Sequence, residues 1–319
     1  MPPGRVAIVV AAHEEDYPLE RCLGSLKSVT MNPSDLIFVI NGSNDLFCNS
    51  VIQRFPEITI VRLPFNGLFC AGYNAGIKKA MEKGFDFVLI SNADTEVVNP
   101  KFLEELLDVA RRWPRAAFIG PLVYFRSREV IQKTCLRFPD VIRETAIWLP
   151  WRLARGYVDR QGEKERAVEF LNGVCVLCSV EALKEIGLMD ETMGGYVEDA
   201  DWAWRARQKG WVSVFAPIPS VIHHENPNGY EPYSLKTFLL KRNTVLWFLK
   251  TEQRRSARFY ALASLFLSRI RMKLLFSGGE KAKHKYFLSR LQRVYAGLLE
   301  GEELGPWFGP PLGPWDDKL

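Results

Sequence analysis

The sequence predicts an open α/β fold with a mostly parallel central sheet flanked by helices, and three features lead to this class. Short apolar runs alternate with segments whose apolar residues recur at helical spacing. Each run ends in polar, acidic or glycine-rich residues, which is typical of a buried strand that reaches a turn. Strands that alternate with helices are joined by right-handed crossovers, and these place the strands parallel in one sheet.

The first half of the chain supplies four predicted strands, each followed by a predicted helix. The strands are residues 6–11, 36–40, 58–61 and 87–90, and the helices are residues 19–26, 51–55, 71–83 and 100–112. Gly84 is expected to end the third helix, because glycine adopts backbone conformations that other residues avoid.

The second half keeps this alternation only in part. Residues 113–168 lose it, and we expect an irregular excursion over a binding site there. The alternation resumes with a strand at 170–180, helices at 181–186 and 198–209, and a strand at 212–215. The remaining periodic stretches predict helices at 233–250, 252–276 and 284–300, followed by a proline-rich tail at 305–319.

Composition limits the class of protein. The chain has 319 residues, which predicts roughly two domains, and its 47% apolar and 25% charged residues exclude a wholly disordered chain. Cys175 and Cys178 lie inside an apolar run, so we expect them in the core rather than on a metal. No uncharged apolar run reaches the roughly 18–20 residues of a membrane span, and the first strand follows no secretory signal, so we expect a reducing cytosol.

Positive charge is concentrated near the end of the chain. Residues 236–300 hold 15 Lys and Arg against three Glu and no Asp, although the whole chain carries only +5. Apolar residues interleave with these charges, for example Lys241 and Arg242 between leucines. Packing against the rest of the protein and docking on an anionic membrane surface both explain such helices. No nucleic-acid motif accompanies the charge, so we expect no nucleic-acid partner.

Candidate functional residues follow four of the predicted strands. They are His13-Glu14-Glu15, Asn41-Gly42-Ser43-Asn44-Asp45, the glycine-rich stretch Asn66–Gly76 and Ser91-Asn92-Ala93-Asp94. Each segment alone is consistent with a turn, but ligands of open α/β sheets sit beyond the carboxyl ends of the strands, so four together predict a site. Neither GxGxxG after the first strand nor GxxxxGK[ST] occurs, which disfavours a dinucleotide site and a P-loop.

Three clusters have residue types suited to chemistry. The carboxylate of Asp94, just past a buried strand and close to Asn92, suits Mg²⁺ or Mn²⁺, whose remaining ligands are often waters and phosphates. Carboxylates crowd a predicted helix start at 198–201, where acids also favour the helix dipole and where an i,i+4 pair with Arg205 is an alternative. The histidines at 223–224 follow an apolar run and could complete a metal site or be solvated loop residues.

Taken in order, these segments resemble the family 2 glycosyltransferases with a GT-A fold, particularly their bacterial rhamnosyltransferase-like branch. The matching segments are residues 6–26, 38–45, 66–80, 87–102, 170–216 and 221–229. The resemblance implies a Rossmann-like sheet that serves inverting transfer of a sugar from a nucleoside diphosphate sugar. It also implies a divalent cation, Mg²⁺ or Mn²⁺.

The resemblance implies a role for each matched residue. The donor-binding residues would be Ala12, His13, Glu15, Asn41, Ser43, Asp45, Asn66, Gly72, Asn74, Gly76, Asn92 and Asp94. Asp94 and His224, with His223 as the less favoured choice, would hold the metal, and Asp199 would be the general base. The acceptor side would be lined by Gly173, Glu191, Glu198 and Asp201. Asn92 replaces the first aspartate of the family's DxD motif.

The implied donor is a rhamnose-like deoxysugar on dTDP or UDP, and the implied acceptor is a glycan or a polyprenyl-linked sugar in cell-surface polysaccharide synthesis. This implies a cytoplasmic enzyme, peripheral at the inner face of the membrane. The implied domains are a GT-A catalytic domain (1–230, with a nucleotide-sugar half 1–112 and an acceptor half 113–230), a basic amphipathic helical extension (231–304) and the tail (305–319).

Two other functions stay open. A sugar-1-phosphate nucleotidyltransferase would need a basic glycine-rich loop near the start of the chain, where Glu14, Glu15 and Asp16 stand instead. A non-catalytic nucleotide-sugar or glycan-binding protein would not need both Asp94 and Asp199.

Overall fold

A computed structural model describes residues 4–13, 19–30, 32–146, 164–224, 234–275 and 279–303, with side chains described throughout these ranges except at 146 and 271–283. The chain divides into two compact units. The first comprises residues 1–137, 158–190 and 199–226, and the second comprises residues 138–157, 191–198 and 227–319. The domain boundaries implied by the resemblance stay a prediction.

The first unit is built on a mixed, mostly parallel sheet. The strands are β1 (Val6–Ala12), β2 (Leu36–Asn41), β3 (Thr59–Leu63), β4 (Phe87–Ser91), β5 (Thr95–Val97), β6 (Ala116–Phe125), β7 (Ile131–Gln132), β8 (Cys135–Leu136), β9 (Arg166–Val168), β10 (Phe170–Leu171), β11 (Cys175–Ser179) and β12 (Val212–His223). The sheet order is β3-β2-β1-β4-β11-β6-β12-β5, with β7 on β6 and β9 on β12, while β8 and β10 pair separately. The predicted α/β class with a mostly parallel central sheet is confirmed.

Parallel and antiparallel pairing divide this sheet into regions. β3, β2, β1 and β4 run parallel to one another, and β6 runs parallel to β12. β11 lies antiparallel between β4 and β6 and joins the two parallel groups. Every residue of β2 is buried, as expected for a strand whose sequence is a nearly continuous apolar run.

Helices accompany both units. They are α1 (Leu19–Val29), α2 (Asp45–Arg54), α3 (Leu68–Glu82), α4 (Phe102–Arg112), α5 (Val141–Ala146), α6 (Val180–Ile186), α7 (Glu198–Gln208), α8 (Leu235–Lys250), α9 (Arg254–Leu275) and α10 (Gly279–Glu300). Helix α3 buries Cys70, Tyr73, Ile77 and Ala80 at helical spacing. Gly84, with φ +72°, follows its end in the left-handed conformation, as the sequence predicts.

Helix α3 packs very closely on the sheet. A Cβ on Gly76 would lie less than 3.0 Å from Cγ1 of Val9 and 3.0 Å from Cγ2 of Val39. Only a residue without a side chain therefore lets α3 approach β1 and β2 at this point.

The prediction that residues 113–168 are irregular is wrong at its start. β6 occupies Ala116–Phe125 and pairs with both β11 and β12. β12 likewise continues to His223, well past the predicted end at residue 215. Both strands contain prolines, which remove ladder donors and weaken the sequence signal for a strand. Register shifts on either side of Pro219 accommodate that residue in the β6–β12 ladder.

The second unit contains α5, α8, α9 and α10. The three helices predicted after residue 233 are confirmed, although α10 begins at Gly279, earlier than the predicted 284. Of the two explanations that the sequence leaves open for the basic helices, packing within the protein holds for Lys241 and Arg242, because each is only 2% exposed. Lys241 Nζ donates to the hydroxyl oxygens of Ser264 and Ser268 at 3.1 and 3.2 Å, which fixes α8 against α9.

Two further expectations concern membranes and cysteines. Within the described residues, no helix combines the length and the apolar composition that a bilayer crossing requires. Cys175 and Cys178 are buried free thiols of β11, as predicted. Burial raises the pKa of Cys175 to about 12, so its thiol stays protonated and behaves as a small core residue.

We predict that Gly76→Ala destabilises the protein by about 1–3 kcal/mol, because the added methyl group overpacks the contact with Val9. The measurement is the midpoint of urea unfolding. Gly24→Ala in α1 is the matched control, since a Cβ there meets nothing within 4 Å. The control should keep or raise stability, by about 0.5–1 kcal/mol. Equal shifts of the two variants would contradict the close-packing argument.

Candidate active site at the carboxyl edge of the sheet

The ends of β1 and β2 are tied together by residues predicted to bind the donor. His13 Nδ1 lies 2.8 Å from the carbonyl oxygen of Asn41, and the Ser43 hydroxyl donates to the carbonyl oxygen of His13. Ala12, Asn41 and Ser43 are all buried. These residues share one edge of the sheet, whereas the predicted Glu15 lies outside the described residues.

The side chain of Asn41 holds the loop that enters α3. Its Nδ2 donates to the Leu68 carbonyl oxygen at 2.8 Å, and its Oδ1 accepts from the Gly67 amide at 3.0 Å. Leu68 has φ +58°, a left-handed conformation that costs a leucine energy. Gly72 lies beneath this contact, since a Cβ there would stand 3.0 Å from Asn41 Nδ2. Two predicted donor residues thus shape the start of α3.

Three other predicted donor residues have structural contacts of their own. Asn66 Oδ1 accepts from the Leu68 amide at 2.9 Å, inside the same loop. Asn74 is buried, and its side-chain amide bonds both to the carbonyl oxygen and to the N–H of Met189, at 2.9 and 3.1 Å. Asp45 pairs with Arg62 at the surface. Their donor-binding roles stay predictions.

The turn after β4 is rigid. Thr95 Oγ1 donates to the Asn92 carbonyl oxygen and bonds to the Ser91 hydroxyl, both at 2.8 Å. Tyr73 of α3 donates its hydroxyl hydrogen to the Ser91 carbonyl oxygen at 2.8 Å and also reaches Asn92 Oδ1 at 3.3 Å. The predicted metal residue Asp94 is carried by this turn, so its backbone position is fixed.

The end of β12 brings a histidine to Asp94. His223 Nε2 lies 3.1 Å from Asp94 Oδ1, and His223 Nδ1 lies 2.8 Å from Gln132 Oε1. Asp94 is 9% exposed and His223 is 5% exposed, so the pair is largely shielded from water. The amide of His224 donates to the Asp94 carbonyl oxygen at 2.8 Å.

His224, the preferred metal contact of the sequence analysis, points to a different carboxylate. Its Nε2 lies 2.8 Å from Glu96 Oε2, which also faces Arg21 Nε at 3.9 Å. In this arrangement His223, the second choice, is the imidazole beside Asp94.

The Asp94–His223 pair has a spacing that suits a shared cation. Two ligand atoms at right angles around Mg²⁺, each about 2.1 Å from it, lie about 3.0 Å apart. The observed O–N separation of 3.1 Å is close to that value and also suits a direct hydrogen bond. Among the described residues, no group of three or more His, Cys, Asp or Glu side chains forms a metal site. A cation here would therefore need ligands beyond these two side chains.

Asp199, the predicted general base, is the second residue of α7 and is partly exposed. Burial raises the pKa of its carboxyl to about 6, and hydrogen bonds from the backbone N–H groups of Ala200 and Gly173 oppose that rise. The Ala200 amide lies 2.8 Å from Asp199 Oδ1. The carboxylate is therefore held in place and is a stronger base than an ordinary surface aspartate.

A short backbone segment joins Asp199 to the turn that carries Asp94. The Gly173 amide bonds to the Asp199 carboxylate, and the next residue, Val174, accepts at its carbonyl oxygen from the Asn92 amide at 2.9 Å. The predicted acceptor residue Gly173 thus connects the two carboxylates on which the predicted chemistry depends. A Cβ on Gly173 would lie 3.1 Å from the Phe69 ring.

Asp201 has a structural contact instead of an open position. It is 2% exposed and accepts from Arg205 Nε at 2.9 Å. Arg205 donates further to the carbonyl oxygens of Ile186 and Leu188, at 2.6 and 2.8 Å. The i,i+4 pair considered from the sequence is therefore present, but it is buried and connects α7 to the turn after α6.

In the second unit, α8 holds the loop that leads into α7. This loop contains Glu191, ends at Glu198 and has positive φ at Gly194, Tyr196 and Val197. Arg242 Nη2 donates to the carbonyl oxygens of Thr192 and Met193, at 2.6 and 2.8 Å. Asn243 Nδ2 contacts the carbonyl oxygens of Met193, Gly195 and Tyr196, at 2.9, 2.7 and 2.7 Å.

Sequence reasoning missed Gln132, Arg242 and Asn243. Gln132 lies in the stretch predicted to be irregular, and nothing in its sequence context identifies it. Arg242 and Asn243 did carry a signal, because they stand among apolar residues on the buried side of α8. Polar residues in such positions indicate a buried polar contact.

Residues 2–244 match the family described as "Glycosyltransferase like family 2". The chain therefore belongs to the family 2 glycosyltransferases, and it is a hexosyltransferase. A crystal structure of GalNAc-T7 with UDP, GalNAc and Mn²⁺ is similar over 95% of this chain and 59% of that chain, with a TM-score of 0.59 and 14% identity. That likeness confirms the predicted GT-A fold.

The named relatives each match about 70% of this chain. N-acetylglucosaminyl-diphospho-decaprenol L-rhamnosyltransferase from two strains of Mycobacterium tuberculosis is 30% identical over 71% of this chain and 78% of its own length. An O-antigen biosynthesis protein, RfbC, from Myxococcus xanthus is 26% identical over 70% of this chain but only 17% of its own length. The rhamnosyltransferase-like branch named from the sequence is confirmed.

We predict that Asn243→Ala destabilises the loop before α7, because the carbonyl oxygens of Gly195 and Tyr196 lose their side-chain donor and that of Met193 keeps only Arg242. The expected loss is about 1–3 kcal/mol in the free energy of unfolding, together with faster amide exchange in residues 192–197. Gln253→Ala is the control, since that exposed side chain donates only to Thr251 Oγ1. Unchanged exchange in the loop of the Asn243 variant would show that the contacts do not hold it.

Proposed function

We propose that the protein transfers a rhamnose-like deoxysugar, with inversion, from a dTDP- or UDP-sugar to a polyprenyl-linked acceptor. The proposal rests on one observation above all. Asp199, with its pKa raised to about 6, is joined through Gly173 and Val174 to the turn that carries Asp94. The proposed general base, Asp199, and the carboxylate proposed for the phosphate side of the donor, Asp94, are thereby connected through backbone hydrogen bonds.

Asp199 is suited to take a proton from an acceptor hydroxyl. With a pKa of about 6 it is largely ionised at neutral pH and yet more basic than an ordinary aspartate. A single base that activates one hydroxyl for direct displacement at the anomeric carbon gives inversion of configuration. Retention by two successive displacements would need a second, nucleophilic carboxylate close to the same carbon.

The start of α3 is suited to the diphosphate of the donor. Gly67, which has no side chain, stands at the N-cap, and Asn41 fixes the loop in front of it. The backbone N–H groups of a first helical turn point out of the helix and favour anions. The donor therefore binds across the ends of β1, β2 and β4, with its phosphates toward α3.

A divalent cation fits beside this diphosphate site. Asp94 and His223 would hold it, and the donor's own phosphates and water would complete the ligand set, as is usual for Mg²⁺. When bound, the cation stabilises the negative charge that develops on the leaving nucleoside diphosphate.

The acceptor proposal follows from the relatives. The rhamnosyltransferase from Mycobacterium tuberculosis is named for a lipid-linked N-acetylglucosaminyl diphosphate, and it shares most of its length with this chain. An acceptor of that chemistry is confined to a membrane, so the protein would work as a peripheral enzyme at the inner membrane face.

The test is sugar transfer by the purified protein to a synthetic N-acetylglucosaminyl-diphospho-polyprenol, with a panel of dTDP- and UDP-sugars. Product stereochemistry is read by NMR.

We predict that Asp199→Asn lowers transfer by about 10²–10⁴ with little change in donor affinity, because Asn keeps the shape but cannot take the proton. Asp108→Asn on α4, a partly exposed aspartate paired with Arg111, is the matched control.

The pH profile provides a second readout for Asp199. Because the ionised carboxylate is the active form, kcat/KM should be level above the pKa of about 6 and fall about tenfold per pH unit below it. This acid limb should disappear in Asp199→Asn. Transfer within a few-fold of wild type in that variant would mean that another group removes the proton.

We predict that Mn²⁺ tightens binding of the nucleoside diphosphate to the wild type by about tenfold or more, and that Asp94→Asn loses this gain. The variant removes one charge without removing the shape of the side chain. Isothermal titration of UDP and dTDP, with and without Mn²⁺, measures the effect, and Asp108→Asn again serves as control. Equal affinities with and without Mn²⁺ in the wild type would contradict the metal role.

A further inference from the structure

An apolar stripe is exposed along α9. Phe259, Leu262, Phe266 and Ile270 are 57, 70, 62 and 38% exposed, and their spacing places them on one side of the helix. The opposite side of α9 is buried by small and aromatic residues, namely Ala257, Tyr260, Ala261, Ser264 and Ser268. Single exposed apolar residues are common, but a continuous row of four on one helix indicates an interaction surface.

Arginines flank this stripe. The exposed ones are Arg254, Arg255, Arg258 and Arg269, and the sequence of α9 contains no Asp or Glu. We name the four apolar and four basic residues together the exposed face of α9. A helix with aromatic and aliphatic residues beside exposed arginines, and without acidic residues of its own, is typical of segments that lie in the surface of an anionic bilayer.

A groove extends the exposed face of α9 toward α10. It has a volume of about 420 Å³ and is lined by Phe266, Arg269, Ile270, Lys285, Leu288, Ser289 and Gln292. Arg269 donates to Gln292 Oε1 at 3.0 Å, so the two helices are joined across it. The groove therefore combines apolar walls with two cationic side chains at the end of the stripe.

Charge decides between a lipid surface and a second copy of the chain as the occupant. Two such faces packed on each other would bring arginines of both copies together without an acidic residue on either α9. An anionic leaflet offers the opposite charge to the arginines and an apolar layer to the stripe. The observations therefore favour the bilayer.

We propose that the exposed face of α9 docks the enzyme on an anionic bilayer, with the stripe inserted among the lipids and the arginines at the phosphate level. This inference deepens the proposed function, because a polyprenyl-linked acceptor lies in the same surface. It also limits the membrane contact that the sequence suggests to a smaller set of residues, since Lys241 and Arg242 of α8 are buried and cannot contact a membrane.

The experiment is flotation of the purified full chain with vesicles of phosphatidylcholine alone or with 30% phosphatidylglycerol, at about 50 and 500 mM salt. The wild type should float with the anionic vesicles at low salt, because salt screens the attraction of arginines to phosphates. Little should float with neutral vesicles. Flotation requires no donor, acceptor or turnover, so it can succeed or fail independently of the proposed transfer reaction.

Two double variants separate the apolar and the basic contribution. Leu262→Gln with Phe266→Gln should lower the bound fraction on anionic vesicles by about tenfold, and Arg255→Gln with Arg258→Gln should weaken the preference for anionic vesicles and its salt dependence. Leu46→Gln with Ile52→Gln on α2 is the matched control, because it removes two apolar side chains that are 82 and 48% exposed. It should float like the wild type.

Three outcomes would overturn the proposal. The first is that the wild type fails to float with anionic vesicles at low salt. The second is that the α2 control loses flotation as much as the α9 variants do. The third is that the wild type binds no vesicles but forms a dimer, which the Leu262→Gln, Phe266→Gln variant converts to a monomer. Circular dichroism and the unfolding midpoint confirm that each variant is folded, and all substituted side chains are exposed. Donor hydrolysis without vesicles should stay equal in wild type and α9 variants.

Discussion

Very close packing of α3 on the sheet fixes the start of this helix in the candidate site. At Gly76 the helix approaches Val9 and Val39 more closely than any side chain permits. One turn earlier, Gly72 lets the Asn41 amide reach the loop in front of the helix. Because two glycines lie on the same face of α3, the helix start is fixed against the ends of β1 and β2. The helix start proposed to receive the diphosphate is therefore held in place before any ligand arrives.

The polar residues at this edge fall into two groups by what their atoms contact. In Asn41 and Asn74, both the oxygen and the nitrogen of the side-chain amide bond to backbone groups, so these residues stabilise the local backbone. Asp94 and Asp199 differ from them. The first shares its carboxylate with an imidazole nitrogen, and the second keeps a partly exposed carboxylate with a raised pKa. A displaced pKa is common among residues that carry chemistry, which supports the role proposed for Asp199.

The sequence predicts the order of elements well where local signals agree. β1, β2 and β4 are apolar runs that end in polar turns, and α3 shows both helical spacing and an ending glycine, so pattern and structure coincide. The same signals fail for β6 and for the second half of β12. Prolines break their strand patterns, and only pairing with distant neighbours stabilises them, which no local window contains. Gln132 is missed for the same reason, because its relevance comes from its long-range contact with His223.

The candidate site divides in a similar way. The geometry of parallel sheets predicts a site at the strand ends and so points to Asp94, whereas Asp199 is named only through the family resemblance. The sequence cannot show which histidine faces Asp94. Neighbouring residues of a strand point to opposite faces, so a register shift of one residue exchanges them. The bulges around Pro219 set that register in β12, so His223 rather than His224 lies beside the carboxylate.

The basic segment shows why a count of charges does not define a surface. Lys241 and Arg242 of α8 contribute to the same excess as the arginines of α9, yet these two side chains lie inside the protein. Serine hydroxyls accept hydrogen bonds from the Lys241 ammonium, and carbonyl oxygens of the loop before α7 accept them from the Arg242 guanidinium. Burial of a charge is tolerated only with such hydrogen bonds, and each bond commits the side chain to one geometry. The arginines of α9 are exposed beside exposed apolar residues, so the proposed attraction to a membrane is assigned to α9 rather than to Lys241 and Arg242.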